Sequence, residues 1–230
     1  MIHFMAIQNF ILLITGILNF SMSVFIISRG WKNKINLYFS LLTFFTFLWS
    51  LTLFISRIIP SDLLAVFFYR STYMSAVGIA VFLLYFSLYF PYKIKDVSFL
   101  IKFSIWLPTI IIVILIYTQW HIIDFNRSID LLEWNVSYYV PFHIVYGLYF
   151  FVAVISAFLH LVYKYRRSEN IFKKQIKVFL SMIAISFVCG SYFNLILCYF
   201  GSWHYIWLGP LFTLLMNGSV FYLIFLSKDR

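Results

Sequence analysis

Seven long apolar runs, separated by short polar or basic connections, divide the chain from end to end. They cover residues 4–28, 37–56, 63–90, 103–120, 138–163, 178–200 and 205–227. A helix rises about 1.5 Å per residue, so about 20 apolar residues cross a ~30 Å hydrocarbon core. Six runs reach that length and the fourth is slightly short. The pattern predicts an all-α bundle of seven transmembrane helices, with residues 1–230 forming one membrane domain and no soluble domain. Polar and small residues recur inside the runs at helical spacing. They are Gln8, Thr15, Asn19 and Ser23 in the first, Ser71, Ser75 and Gly78 in the third, Ser186, Gly190 and Asn194 in the sixth, and Gly209, Thr213 and Asn217 in the seventh. Steps of three, four and seven place each set on one helix face. Such faces let helices approach closely and bond across. Their outer ends are also candidates for lining a ligand cavity.

Composition supports a membrane protein. The chain is 63% hydrophobic with a mean hydropathy of +0.95, where a soluble domain is nearer half apolar. Charge then sets the orientation. Fourteen of the 17 Lys and Arg residues fall in connections reached after an odd number of crossings. These are Arg29, Lys32, Lys34, Lys93, Lys95, Lys102, Lys164, Arg166, Arg167, Lys173, Lys174, Lys177, Lys228 and Arg230. Only Arg57 and Arg127 fall on the other side, and Arg70 lies inside the third run. Positive connections stay cytoplasmic, so the N-terminus is expected outside and the C-terminus inside, in a multi-pass protein of the cell (inner) membrane. The net charge of +10 therefore points to orientation and anionic headgroups rather than nucleic acid. The first run lacks a basic leader and a small-residue cleavage site, so it is expected to remain as helix 1. The 121–137 connection is read as a loop, bracketed at the interface by Trp120, Trp134, Tyr138 and Tyr139, as Trp203, Tyr205 and Trp207 bracket the next turn.

The chemistry is marked by what is missing. Asp62, Asp96, Asp124, Asp130, Glu133, Glu169 and Asp229 all lie in connections, at span edges or in the tail. Proton relays, ion-coupled transporters and intramembrane proteases need an acid within the span. There is no HExxH motif and no Lys in the seventh run to carry a retinal Schiff base. Cys189 and Cys198 stand about 13.5 Å apart along one helix, too far to pair. No enzyme activity, metal or cofactor is expected. Arg70 is the one full charge within a span, about 10 Å from the outer end by helix rise. It is either a snorkelling or structurally paired residue or an anchor for an anionic ligand, since guanidinium suits carboxylate and phosphate. Tyr73 and Val77 share its face. Tyr73, His143, Asn194 and Trp207 complete the candidate ligand set. Gly209 and Pro210 are expected to break helix 7 and serve as a signalling hinge, because Pro removes a backbone hydrogen bond.

The last third of the chain reads FHIVYGLYFFVAVISAFLHLVYKYRRSENIFKKQIKVFL, then Asn194, a short turn, and WLGPLFTLLMNGSVFYLIFLSKDR. It resembles the N-terminal seven-helix sensor domain of bacterial histidine kinases and diguanylate cyclases. The resemblance rests on Lys173, Lys174 and Gln175 in the basic connection, Asn194 in helix 6, Gly209 and Pro210 opening helix 7, and the charged exit from Lys228 to Arg230. Arg70 within FFYRSTYM extends it to helix 3, so it covers essentially the full chain. Where such domains often carry Pro four residues after the Asn, this chain has Cys198. The resemblance implies a sensory input module that binds a small extracytoplasmic or membrane-borne ligand and signals through helix 7. The partners expected are the lipid bilayer, a ligand that Arg70 suits to be anionic, a cytoplasmic kinase or cyclase, and a second copy of the chain. With no output module after helix 7, the signal is expected to pass to a partner or to a segment beyond this chain. A small transporter and a ligand-free accessory subunit are the alternatives, and the inverted repeats of transporters are missing.

Overall fold

The computed structural model describes residues 2–93, 97–127, 134–200 and 204–226. Lys95, Asp96, Asp130, Glu133, Trp203, Lys228, Asp229 and Arg230, singled out above, lie outside the described residues. Helices α1 (Ile2–Ser28), α2 (Lys34–Ile58), α3 (Asp62–Tyr89), α4 (Phe99–Ile116) and α5 (Val140–Arg167) follow in order. Helix α6 runs over Asn170–Ser191, passes through a π-helical turn at Tyr192–Ile196 and ends with Leu197–Tyr199. Helix α7 covers Leu208–Phe221 and closes in a second π turn at Tyr222–Leu226. Among the described residues six helices are long and apolar enough to cross a membrane, and α7 is apolar but shorter.

Several boundaries differ from the apolar runs because polar residues start helices earlier. Asn33 accepts from the Ile35 N–H at 2.9 Å, and Ser98 accepts from the Ile101 N–H at 3.4 Å. Side-chain oxygens of this kind satisfy the free N–H groups of a first turn. Helix α4 therefore begins at Phe99, four residues before the expected span, and Lys102 lies in its first turns rather than in a connection.

The larger correction is at the expected 164–177 connection, which is almost wholly helical. Only Ser168 and Glu169 separate α5 from α6. Asn170 opens α6 at a φ of 50°, a left-handed conformation that Asn tolerates better than most residues. Lys164 is thus not a loop charge. It is buried in the last turns of α5, and its ammonium donates to the carbonyls of Ser87, Leu88, Phe90 and Tyr92 at 2.8, 2.9, 2.8 and 2.7 Å. These carbonyls belong to the end of α3 and the residues after it, where a helix leaves acceptors unpaired and its dipole is negative.

The described parts of the connection between α4 and α5 include two strands. Strands β1 (Ile122–Arg127) and β2 (Trp134–Tyr138) pair antiparallel, with Phe125 opposite Val136 and a bulge between Ile122 and Asp124. The stretch Trp-Asn-Val-Ser-Tyr alternates apolar and polar residues, which is the period of a strand. Ile122 and Val136 are buried, in one core cluster with Tyr69 of α3 and Tyr146 of α5.

The helices run up and down with two core regions. At the end where α3 stops, the rings of Phe86 and Phe90 stack at 4.9 Å, and Phe179 of α6 packs on Phe86 at 5.4 Å. At the hairpin end the core is built of Leu53, Tyr69, Tyr73, Tyr146 and Ile206. The polar seams of α1, α2 and α7 are turned inward and bonded. Asn217 donates to Asn19 at 2.8 Å and to Thr46 at 3.1 Å, and Ser23 and Ser40 bond at 3.0 Å. Gly78 lets α3 meet α2 closely, since a Cβ there would lie 2.0 Å from the Phe45 ring. Phe10, Ile17, Ile110, Ile114, Val152 and Val188 are exposed on the outside of the bundle. An apolar surface this extensive is that of a bundle solvated by lipid, and the chain is a multi-pass membrane protein. Arg29, Lys32, Arg166, Arg167, Lys173 and Lys174 are exposed at the end away from the hairpin, termed the basic end.

Candidate ligand cavity beneath the hairpin

Helices α3 and α6 meet through Phe179 at the basic end and part around a cavity toward the hairpin. The cavity has a volume of about 80 Å³ and opens on one side. Tyr73, Ala76 and Leu83 of α3 form one wall, and Ser186, Gly190, Ser191, Asn194 and Cys198 of α6 the other. Tyr146 and Phe150 of α5 flank it, with Trp49 of α2 and Thr213 and Met216 of α7 behind. Small side chains make the space: a Cβ on Gly190 would meet nothing within 4 Å. The π turn at Tyr192–Ile196 adds a residue to the helical turn at this wall, a departure common at functional positions. It brings Asn194 and Leu195 to the cavity, where the Asn194 amide donates to the Gly190 carbonyl at 3.1 Å. The Ser191 hydroxyl is buried without a hydrogen-bond partner among the described residues.

The roof is a knot of tyrosines and histidines beneath the hairpin. Tyr69 bonds Tyr138 at 2.8 Å and Tyr73 at 3.2 Å, and Tyr73 and Tyr138 also bond each other. Burial holds the Tyr138 hydroxyl neutral by raising its pKa well above the ordinary value. His121, just before β1, is fully buried, with its ring 4.4 Å from that of Tyr73. Burial first, then His143 and Arg70, push its pKa down to about 3, so the imidazole is neutral.

The candidate residues divide. Tyr73 and Asn194 lie on the cavity wall. Arg70 is half-buried and turned to the roof, donating to the Tyr117 carbonyl at 3.0 Å and the Ile122 carbonyl at 3.2 Å. It ties α3 to the end of α4 and to β1. His143 packs on Tyr138 with ring centroids 4.5 Å apart, above the cavity rather than on its wall. Trp207 packs against the hairpin-end core, its indole N–H buried without a partner among the described residues. Gly209 touches the site through Asn194: a Cβ there would lie 1.9 Å from the Asn194 amide nitrogen and 2.9 Å from the Trp49 ring. Pro210 is the third residue of α7. Its missing N–H is one that a first turn leaves unpaired anyway. Gly209 and Pro210 therefore open α7, and among the described residues π turns lie at Tyr192–Ile196 and Tyr222–Leu226.

Sequence reasoning missed Tyr69, His121, Tyr138 and Lys164. Tyr69 and Tyr73 stand four apart, so their shared face was readable. Among the described residues no group of three His, Cys, Asp or Glu side chains is placed to hold a metal, and both cysteines are free thiols.

Fold and site together define a polytopic helical membrane protein with a cavity inside the bundle. The family model for the N-terminal 7TM region of histidine kinase matches residues 11–228, and the chain belongs to that family. Comparison with curated proteins and with solved structures gives no match. Membership places the chain among the membrane input regions of histidine kinases, which are not themselves catalytic.

Proposed function

We propose that the chain is a sensory input module in which a small ligand occupies the cavity between α3 and α6. The single observation that carries this is the cavity itself, since close packing of an inert bundle leaves few voids. All seven helices cross the membrane in this reading, α7 included. The exposed cations of the basic end mark the cytoplasmic side, so the N-terminus and the hairpin are outside. Tyr73 and Asn194 meet the ligand directly. Arg70, His143 and Trp207 hold the roof and hairpin over it. The signal passes from α6 to α7 where Asn194 abuts Gly209, and where Ser186 donates to the Phe212 carbonyl at 2.6 Å. It then leaves at the cytoplasmic end toward a kinase or cyclase module. The sliding contact at Gly209 and Pro210 takes the place of a hinge.

The test joins a kinase module after Arg230 and fills the cavity with Gly190→Phe. Autophosphorylation in membrane vesicles is expected to lock at one level while insertion and expression stay unchanged. Output indistinguishable from the parent fusion would remove the sensor reading and favour an accessory subunit.

A further inference from the structure

We infer that the cavity selects an uncharged amphiphile, an apolar body carrying one hydrogen-bonding end group such as a hydroxyl, ketone or ester. This rests on the reading of the cavity as the ligand site. No Lys, Arg, Asp, Glu or His is among the residues described on its wall. A carboxylate or phosphate drawn inside would lose its water and gain no counter-charge, which is costly in a medium of low dielectric. Arg70, the residue best suited to an anion by type, spends two of its nitrogens on the Tyr117 and Ile122 carbonyls above the roof.

The wall also says where each part of the ligand lies. Ile79, Leu83, Phe150, Val154 and Ile183 line the cavity and accept an apolar body. Most wall hydroxyls are already engaged: Thr72 with the Tyr69 carbonyl at 2.6 Å, Ser186 with Phe212 at 2.6 Å and Thr213 with Pro210 at 2.7 Å. Ser191 is different. The residue is 7% exposed, and its hydroxyl has no partner among the described residues. A buried hydroxyl left in this state is unfavourable until an incoming group bonds to it. Asn194 follows three residues later on the same wall, inside the π turn. The hydrogen-bonding end of the ligand therefore seats at Ser191 and Asn194. An end group there bears on Asn194, which with Trp49 is a wall residue set against Gly209 of α7.

The experiment uses the full chain in lipid nanodiscs and two photoreactive probes of equal length, a diazirine-bearing twelve-carbon alcohol and the matching carboxylate. After illumination, labelled peptides are identified by mass spectrometry. The alcohol is expected to label the peptides spanning 69–83 and 183–198, and unlabelled alcohol to compete. Labelling by the carboxylate is expected to be at least about tenfold weaker. Gly190→Phe should abolish the competed labelling, Ser191→Ala should weaken it, and Arg70→Ala should leave the preference for the alcohol unchanged. Equal or stronger labelling by the carboxylate, confined to the same peptides, would overturn the uncharged class while keeping the cavity as the site. Labelling spread over lipid-facing helices, not competed and indifferent to Gly190→Phe, would overturn the site itself.

Discussion

Two buried basic side chains have opposite fates, and each supports a prediction. His121 is neutral under the hairpin, faced by Tyr73 and Arg70 of α3, Tyr138 of β2, and His143 and Tyr146 of α5. Its pKa falls from 6.5 to about 3 on folding. Between those values the unfolded chain binds the extra proton, so stability rises with pH across the window and is lost as pH falls below about 6.5. The melting temperature in detergent is expected to drop between pH 7.5 and pH 5, and to drop less in His121→Phe. Lys164 is buried charged, with four carbonyls as its shell. Lys164→Met keeps the stem and leaves those carbonyls unpaired, a loss of about 1.5–3 kcal/mol expected in denaturant unfolding. Lys164→Arg should not restore it, because a planar fork does not fit a point-charge site. Arg70 was legible as an anomaly from the sequence, but its partners were not. They are main-chain carbonyls, which every residue has and no sequence pattern marks. The same holds for Lys164, whose place among basic residues made it look like an ordinary surface charge.

At the scale of elements, the apolar runs located every long helix among the described residues, because lipid and core together demand unbroken apolar stretches. The ends were less legible, since they are set by single capping side chains such as Asn33 and Ser98. The hairpin was missed although Trp134 to Tyr138 alternate, because the bracketing aromatics also fit a membrane interface. The π turn at Asn194 has no sequence signal that we can name. Its consequence can be measured at the α6–α7 contact. Gly209→Ala puts a methyl against Asn194 and Trp49, and overpacking of this kind costs about 1–3 kcal/mol. Asn194→Ala is expected to relieve part of that cost. A double-mutant cycle on thermal unfolding reads the coupling directly, and simple additivity would count against a rigid contact there.

For the whole molecule, the charge asymmetry predicts the topology. Reporter fusions after Lys34, after Lys95 and after Arg230 are expected to report cytoplasm, and one within 124–133 to report the outside. An external signal from a fusion after Ser168 would invert the entire arrangement. The cavity was only partly legible. The seams on α6 and α7 mark two of its walls, but the parting of α3 from α6 is a property of the packed bundle, not of either helix alone.

That parting has a mechanical consequence. The two helices are joined near one end by Phe86, Phe90 and Phe179, and the end of α3 is fastened to α5 by Lys164. A pair of rods joined near one end is a lever with unequal arms. A molecule that wedges the long arms apart moves the short arms by a smaller distance and in the opposite sense. In the proposed sensor reading, what would reach the basic end is then a small tilt with a fixed direction rather than a push along the membrane normal. A receiving module would have to read an angle, and stiffness at the fulcrum would set the gain.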